Sequence, residues 1–234
     1  MTRHLKVQQS GSTYFISPDA QAPGWLEKIA FEPDQLAHAG LVQGQASGRA
    51  HAWFFNLNNT NMVLRHYQRG GLPARVSDDR YLWLGLTGSR PWRELSVLNH
   101  LRALSLPVPL PLGGRVERNR FFYRADIVTK HISASATLAD RITQGWSDWG
   151  ALGQLLGAFH AAGAGHADLN VRNILIDDQA KIWLIDWDRG HMGARRHQQR
   201  ASLKRLRRSL AREPILDAAA QTGWGALERA YQAF

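Results

Sequence analysis

Three oxygen-bearing side chains carry the first chemical signal. The stretch His166-Ala167-Asp168-Leu169-Asn170-Val171-Arg172-Asn173 is followed thirteen residues later by Asp186-Trp187-Asp188-Arg189-Gly190. Between them, Ile174-Leu175-Ile176 and residues 181–185 read as two short strands joined by the turn Asp177-Asp178-Gln179-Ala180. In a hairpin the loop before the first strand and the loop after the second lie at the same end, so Asp168, Asn173 and Asp186 can converge. Oxygen ligands of this kind suit a hard cation such as Mg²⁺, which keeps waters and binds substrate phosphates. A further carboxylate can accept the proton of an attacking hydroxyl. Taken singly, each of these residues is an ordinary turn former; their joint spacing is what points to chemistry.

The elements that must position them can be read in outline. Residues 40–55 read as two short strands around the turn Gly44-Gln45-Ala46-Ser47-Gly48. Met62-Val63-Leu64-Arg65-His66-Tyr67 reads as a third strand after the turn-rich Asn58-Asn59-Thr60-Asn61. Residues 1–40 carry few signals. A helix starts at Ser89-Arg90-Pro91 and carries Leu95, Leu98 and Leu101 until Pro107-Val108-Pro109 stops it. Glu94 shares that apolar stripe, and a carboxylate there needs a cationic partner. Residues 121–129 read as a strand, and residues 130–135 as a turn-like linker. Thr137-Leu138-Ala139-Asp140 has capping-box spacing. Trp149, Leu152, Leu155, Leu156 and Phe159 form a helical stripe closed by Gly163 and Gly165, with His160 read as core.

Composition narrows the class. A chain of 234 residues with 44% hydrophobic content and nine Trp can bury a sizeable core. It has no Cys, which excludes disulfides, thiol catalysis and Cys-ligated zinc. The start leads into polar residues rather than an apolar run, so no signal peptide is expected. The most apolar stretch, residues 151–165, falls short of the roughly 20 residues a bilayer-spanning helix needs. A formal net charge of +10 points to a polyanionic partner: nucleic acid, acidic lipid or a phosphorylated small molecule. Eight cations, Arg195, Arg196, Arg200, Lys204, Arg205, Arg207, Arg208 and Arg212, crowd into residues 195–212. That run reads either as a solvated helix face or as an interfacial anchor with Leu203, Leu206 and Leu210 as its apolar side. His191 and His197 read as solvent-exposed.

The Asp168 and Asp186 segments resemble the protein-kinase signature of an H-x-D-x-x-x-x-N catalytic loop followed by a metal-binding Asp. The resemblance implies an α+β, two-lobed protein-kinase-like fold: an N-terminal antiparallel sheet with one helix in residues 1–130, and a mainly helical C-terminal lobe in residues 131–234. It implies Asp168 as catalytic base, Asn173 and Asp186 as Mg²⁺ ligands, and His166 as a support of the loop. In such a fold ATP binds between the lobes. Arg65 stands where the family has a strand lysine and Glu94 where it has the helix glutamate, so the pair would hold the nucleotide phosphates. Gly44 and Gly48 could cover those phosphates or simply form a hairpin turn, since the full G-x-G-x-x-G pattern is missing. Asp188 reads as a loop carboxylate or a further ligand. Asp186-Trp187-Asp188 replaces D-F-G, and no A-P-E motif follows, which favours small-molecule or lipid acceptors over proteins.

Within that superfamily the resemblance sharpens. Val63 to Tyr67 with Arg69-Gly70-Gly71-Leu72, Asp79-Arg80-Tyr81-Leu82-Trp83, Leu106-Pro107-Val108-Pro109, Phe122-Tyr123-Arg124-Ala125-Asp126 and the two acidic segments resemble the 3-deoxy-D-manno-octulosonic acid (Kdo) kinases. The implied reaction is ATP-dependent phosphorylation of the 4-hydroxyl of Kdo on a lipid A precursor. The implied place is the cytoplasmic face of a Gram-negative inner membrane, peripherally bound, with the basic segment against anionic lipid. No nucleic acid and no protein partner are expected. Arg69, Arg75, Arg80 and Arg124 are candidates for the sugar carboxylate or lipid phosphates. The alternatives are a heptose or other small-molecule kinase, and a non-catalytic basic adaptor binding lipid or nucleic acid.

Overall fold

A computed structural model of the chain describes residues 5–18, 26–46, 52–68 and 79–233. In chain order its strands are β1 (Leu5–Ser10), β2 (Thr13–Pro18), β3 (Val42–Ala46), β4 (Ala52–Leu57), β5 (Thr60–His66), β6 (Tyr81–Leu82), β7 (Pro111–Asn119), β8 (Phe122–Lys130), β9 (Ala136–Thr137), β10 (Ala164–Gly165), β11 (Ile174–Ile176), β12 (Ile182–Leu184) and β13 (His191–Met192). The helices are α1 (Pro33–His38), α2 (Arg90–Ala103), α3 (Leu138–Thr143), α4 (Trp149–Ala161), α5 (Arg196–Leu210) and α6 (Pro214–Gln232). The fold is α+β, with an N-terminal antiparallel sheet and C-terminal helices. The chain divides into two compact units: Met1–His100 with Pro109–His131, and Leu101–Val108 with Ile132–Phe234.

The first unit is built on one antiparallel sheet in the order β1-β2-β7-β8-β5-β4-β3. β5 pairs residues 126–130 of β8, and β6 continues the same edge opposite Phe122 and Tyr123. The β4–β5 hairpin turns on Asn58 and Asn59, both in the left-handed region, with φ of 51° and 59°. Asn adopts that region more readily than most residues and matches the strand twist there. Thr60 and Asn61, read from sequence as turn, already lie in β5. Phe31, Leu36, Phe55, Leu64 and Val128 form the centre of the core between the sheet and the segment around α1. Each such side chain contributes about 1.5–3 kcal/mol on burial. α2 lies close on β7: a Cβ at Gly114 would come 3.0 Å from Pro91 Cβ and 3.1 Å from Leu95 Cδ1.

In the second unit the capping box of α3 is formed, Thr137 accepting from the Asp140 amide while the Asp140 carboxylate accepts from the Thr137 amide. α4 packs on α6 with almost no gap. A Cβ on Gly153 would lie 2.2 Å from the Leu227 carbonyl oxygen, and one on Gly223 would lie 2.1 Å from the Trp149 ring. Only glycine lets these two backbones approach so closely.

Several expectations are corrected. The weakly patterned N-terminal region contributes β1, β2 and α1, so the first unit has more than one helix. Its strand pattern is weak because β1 is largely exposed on both faces. Gly44 lies inside β3 rather than in a turn, and residues 47–51, with Gly48, lie outside the described residues. Arg69 and Arg75 lie outside them as well. Leu206 and Leu210 are fully buried and cannot form an apolar membrane face on α5; the same 3.6-residue period serves a core-facing helix equally well. His191 is half-buried in the β10–β13 pair, its Nε2 buried with no hydrogen-bond partner among the described residues.

Candidate active site

The β11–β12 hairpin pairs Ile174 with Leu184, Leu175 with Trp183 and Ile176 with Ile182. Asn173 and Ile185 therefore flank its open end, and the Ile185 amide donates to the Asn173 carbonyl at 3.0 Å. Asn173 also reaches back to the loop, its Nδ2 donating to the Asp168 carbonyl at 2.9 Å. Asn170 Nδ2 donates to the same oxygen at 3.0 Å. Asp168, Asn173 and the residue preceding Asp186 are thus tied by consecutive hydrogen bonds at one end of the hairpin. Asp186 itself has a positive φ of 61°. A non-glycine residue held there costs on the order of 1–2 kcal/mol, and such strain concentrates where a side chain has to be aimed.

His166 is the buried post of this loop. Its Nε2 donates to the Ile185 carbonyl at 2.9 Å, which leaves Nδ1 to accept from the Asp168 amide at 3.3 Å. Burial pushes its pKa down, against the carboxylates of Asp186 and Asp168, which pull it up. A neutral ring with one donor and one acceptor nitrogen fits both contacts. Trp187 fixes that ring from the side, its centroid 4.7 Å from the imidazole and 5.4 Å from Phe159. Trp187 Nε1 donates to the Leu184 carbonyl at 3.0 Å.

The Asp168 side chain is 60% exposed, with Arg205 Nη1 at 3.8 Å from Oδ1. That separation is an ion pair beyond hydrogen-bond length. The pairing depends on α5: buried Ser209 accepts from the Val171 amide at 3.2 Å and pins the loop one helical turn beyond Arg205. Sequence reading took Arg205 as one charge in a basic run, and nothing local distinguished it.

The donor set suits a hard cation. Asn173 uses Nδ2 on the loop, so its Oδ1 is the atom that could face a metal, and Asp186 is the further oxygen donor following the same hairpin. Among the described residues no group of three or more His, Asp or Glu side chains is arranged to hold a metal. Two protein oxygens with the remaining positions filled by water and phosphate is the usual Mg²⁺ pattern.

In the first unit, Arg65 and Glu94 meet. Arg65 Nη2 donates to Glu94 Oε1 at 2.5 Å and Oε2 at 2.6 Å, with the carboxylate side chain only 3% exposed. Glu94 on the apolar stripe of α2 thus has the cation its burial requires. Tyr67, two residues beyond Arg65 and on the same face of the strand, donates its hydroxyl to Glu94 Oε2 at 2.7 Å. Burial and the neighbouring Glu94 charge hold the Tyr67 pKa well above its ordinary value. The two-residue spacing was the signal that could have found Tyr67. A second cluster was not anticipated: Asp126 binds His66 Nδ1 at 2.6 Å and Arg115 Nε at 2.8 Å, and raises the His66 pKa chiefly through that hydrogen bond. Arg124 pairs with Asp79 at 2.6 Å, while Arg80 is exposed.

Comparison with known proteins now gives the class. The family model for the lipopolysaccharide kinases (Kdo/WaaP) matches residues 34–231, and the chain belongs to that family. It is similar to the 3-deoxy-D-manno-octulosonic acid kinase of Vibrio cholerae serotype O1, with 34% identity over 206 residues, 83% of this chain and 88% of that protein. It is 43% identical over 188 residues to the kinase of the same name from Stenotrophomonas maltophilia strain R551-3, covering 79% and 75% of the two chains. The kinase of that name from Xanthomonas euvesicatoria pv. vesicatoria is 43% identical over 215 residues, covering 85% and 86%. Among the described residues no helix is long and apolar enough to cross a membrane.

Proposed function

We propose that the chain is an ATP-dependent sugar kinase that phosphorylates the 4-hydroxyl of Kdo on a Kdo-lipid A acceptor during lipopolysaccharide core biosynthesis. The observation that carries this reading is the hydrogen-bonded junction of Asp168, Asn173 and the Asp186 segment in a chain of this family. The two units are read as the two lobes of a protein-kinase-like fold. Asp168 orients the acceptor hydroxyl and takes its proton as the oxygen bonds the γ-phosphorus and the bond to the β–γ bridging oxygen breaks. His166 and Trp187 keep the loop in register, so the carboxylate is pre-positioned rather than recruited. Asn173 Oδ1 and the Asp186 carboxylate are assigned to hold Mg²⁺, which would supply charge neutralisation for the phosphates. Arg65, held by Glu94 and Tyr67, is assigned to the nucleotide phosphates; its forked guanidinium suits them. Gly44, in a strand with open space around it, has only a weak claim to the same role. Arg205, an ion-pair partner of Asp168, is assigned to release it and take a negative charge on the acceptor.

The proposed location is peripheral, at the cytoplasmic face of the inner membrane. Arg196, Arg200, Lys204, Arg208 and Arg212 recur every four residues and are all exposed, forming one cationic ridge along α5 and the turn after it. Like charges at that spacing destabilise a helix by a few tenths of a kcal/mol per pair, so an anionic surface relieves them. With Leu206 and Leu210 buried, attraction at this ridge is electrostatic and screened by salt.

The test is phosphoryl transfer from labelled ATP to Kdo-lipid A and, in parallel, to heptosylated core. Label on Kdo-lipid A is expected. Replacing Asp168 by Asn lowers turnover on the order of 10²–10⁴-fold with the fold intact. A fully active Asp168→Asn enzyme would overturn the role of Asp168, and label on the heptosylated core alone would replace the acceptor.

A further inference from the structure

Four of the seven large apolar side chains left exposed among the described residues gather at one place. They are Leu82 at 55%, Leu84 at 73%, Phe121 at 74% and Phe122 at 45% exposure. The backbone explains the gathering. Leu82 and Phe122 are directly opposed partners in the β6–β8 pair, so their side chains share a face. The Trp83 amide donates to the Phe121 carbonyl at 2.8 Å, which carries the segment on to Leu84 beside the β7–β8 turn. Tyr123 and Trp83, which alternate with Phe122 and Leu82, turn the other way and are packed, while Phe121 lies in the β7–β8 turn outside that alternation and stays exposed. Tyr123 is buried, and Trp83 stacks on Tyr14 at 5.6 Å and meets Tyr123 edge-on at 5.9 Å. The tip is therefore held rigid from beneath by aromatic packing while its outer face is apolar.

Its rim is cationic. Arg118 sits over the Trp83 ring at 5.3 Å and donates to the Arg120 carbonyl at 3.2 Å. Arg80, Arg118, Arg120 and Arg124 are exposed around the tip. Among the described residues, the nearby carboxylates of Asp79 and Glu117 face Arg124 at 2.6 Å and Arg115 at 3.7 Å. An exposed apolar cluster on a rigid hairpin, rimmed by arginines, has the layered character of an anionic bilayer interface: charge outside, hydrocarbon within.

We infer that this tip, formed by Leu82, Leu84, Phe121 and Phe122 with its arginine rim, is a membrane-contact surface that inserts into an anionic lipid leaflet. The inference rests on the reading of a lipid-anchored acceptor, which requires the enzyme to work at a bilayer surface. It supplies a hydrophobic contact that Leu206 and Leu210 of α5 do not, since both are buried. Rim arginines add attraction to acidic headgroups that falls with salt.

The chain has no Cys, so Phe121→Cys gives a single attachment point for an environment-sensitive fluorophore. With vesicles of phosphatidylethanolamine and phosphatidylglycerol the label is expected to shift blue and to be quenched by a bilayer-embedded quencher. A label on exposed Gln179→Cys should do neither. Replacing both Leu84 and Phe121 by Ser should weaken vesicle partitioning about tenfold or more, from the lost apolar area. Circular dichroism and phosphorylation of a water-soluble, deacylated Kdo acceptor should be unchanged. Vesicle binding by the wild type with the label at residue 121 still in water overturns the surface, as does undiminished binding of the double variant. Self-association that the double variant abolishes, without vesicle binding, assigns the tip to a second copy and overturns it too. Insertion of the tip by a protein that phosphorylates no Kdo acceptor supports the surface and removes the acceptor reading instead.

Discussion

Acidification should unfold this protein partly through one buried imidazole. His160 lies on α4 with its ring wedged between two other helices. The Tyr231 hydroxyl is 2.8 Å from Nδ1 and Ser202 Oγ is 3.1 Å from Nε2. Ser202 spends its own proton on the Gln199 carbonyl, so Nε2 carries the hydrogen and Nδ1 accepts from Tyr231. The neutral ring is thus fully satisfied, and a second proton would turn the Tyr231 hydroxyl from donor to acceptor and leave a charge buried among the helices. Burial, with a smaller push from His166, lowers its pKa to about 4. In the unfolded chain the ring titrates near 6.5. Its contribution to stability is therefore complete above about pH 6.5 and is lost as pH falls through 4, because the unfolded state takes up the proton first. A displacement of about 2.5 units at 1.36 kcal/mol each sets a limit of about 3 kcal/mol, of which about 2 kcal/mol is already lost at about pH 4.5. The assay is urea unfolding of the wild type and a His160→Gln variant at about pH 7 and about pH 4.5. The wild type should lose about 2 kcal/mol more than the variant over that interval. Equal losses in the two proteins would mean that His160 is not held neutral by burial.

Two further outcomes test the packing on which the site rests. Gly223→Ala places a methyl group within the Trp149 ring contour, which either pries α4 from α6 or displaces the indole; a stability loss of about 1–3 kcal/mol is expected by thermal unfolding, and an unchanged midpoint would show that the helices can part freely. Tyr67→Phe removes one donor from the buried Glu94 carboxylate and should lower the unfolding free energy by about 1.5–3 kcal/mol, whereas no change would mean that the carboxylate is satisfied without the hydroxyl.

Where the chain carries local rules, sequence and structure coincide. Asn58 and Asn59 turn a hairpin because Asn tolerates positive φ. Thr137 and Asp140 cap α3 because three-residue spacing lets each side chain reach the other's amide. The stripe at Leu95, Leu98 and Leu101 is buried as its period demands, and Glu94 within it has a cation. The β11–β12 hairpin brings its two flanking loops together, because antiparallel pairing leaves no other arrangement. These are effects of residues within a few positions of one another, and a linear reading reaches them.

What the sequence could not assign are contacts between distant segments competing for the same residue types. The period of α5 was equally compatible with lipid and with core, and only the packing that buries Leu206 and Leu210 chose the core. Arg205 became distinct from its basic neighbours only when Ser209 pinned the Asp168 loop to the same helix. The exposed tip at Leu82, Leu84, Phe121 and Phe122 joins two segments nearly forty residues apart, and strand pairing alone put them side by side. Local conformational preference belongs to the chain; which face of an element meets water is decided by whatever packs against it, and that is a property of the folded whole.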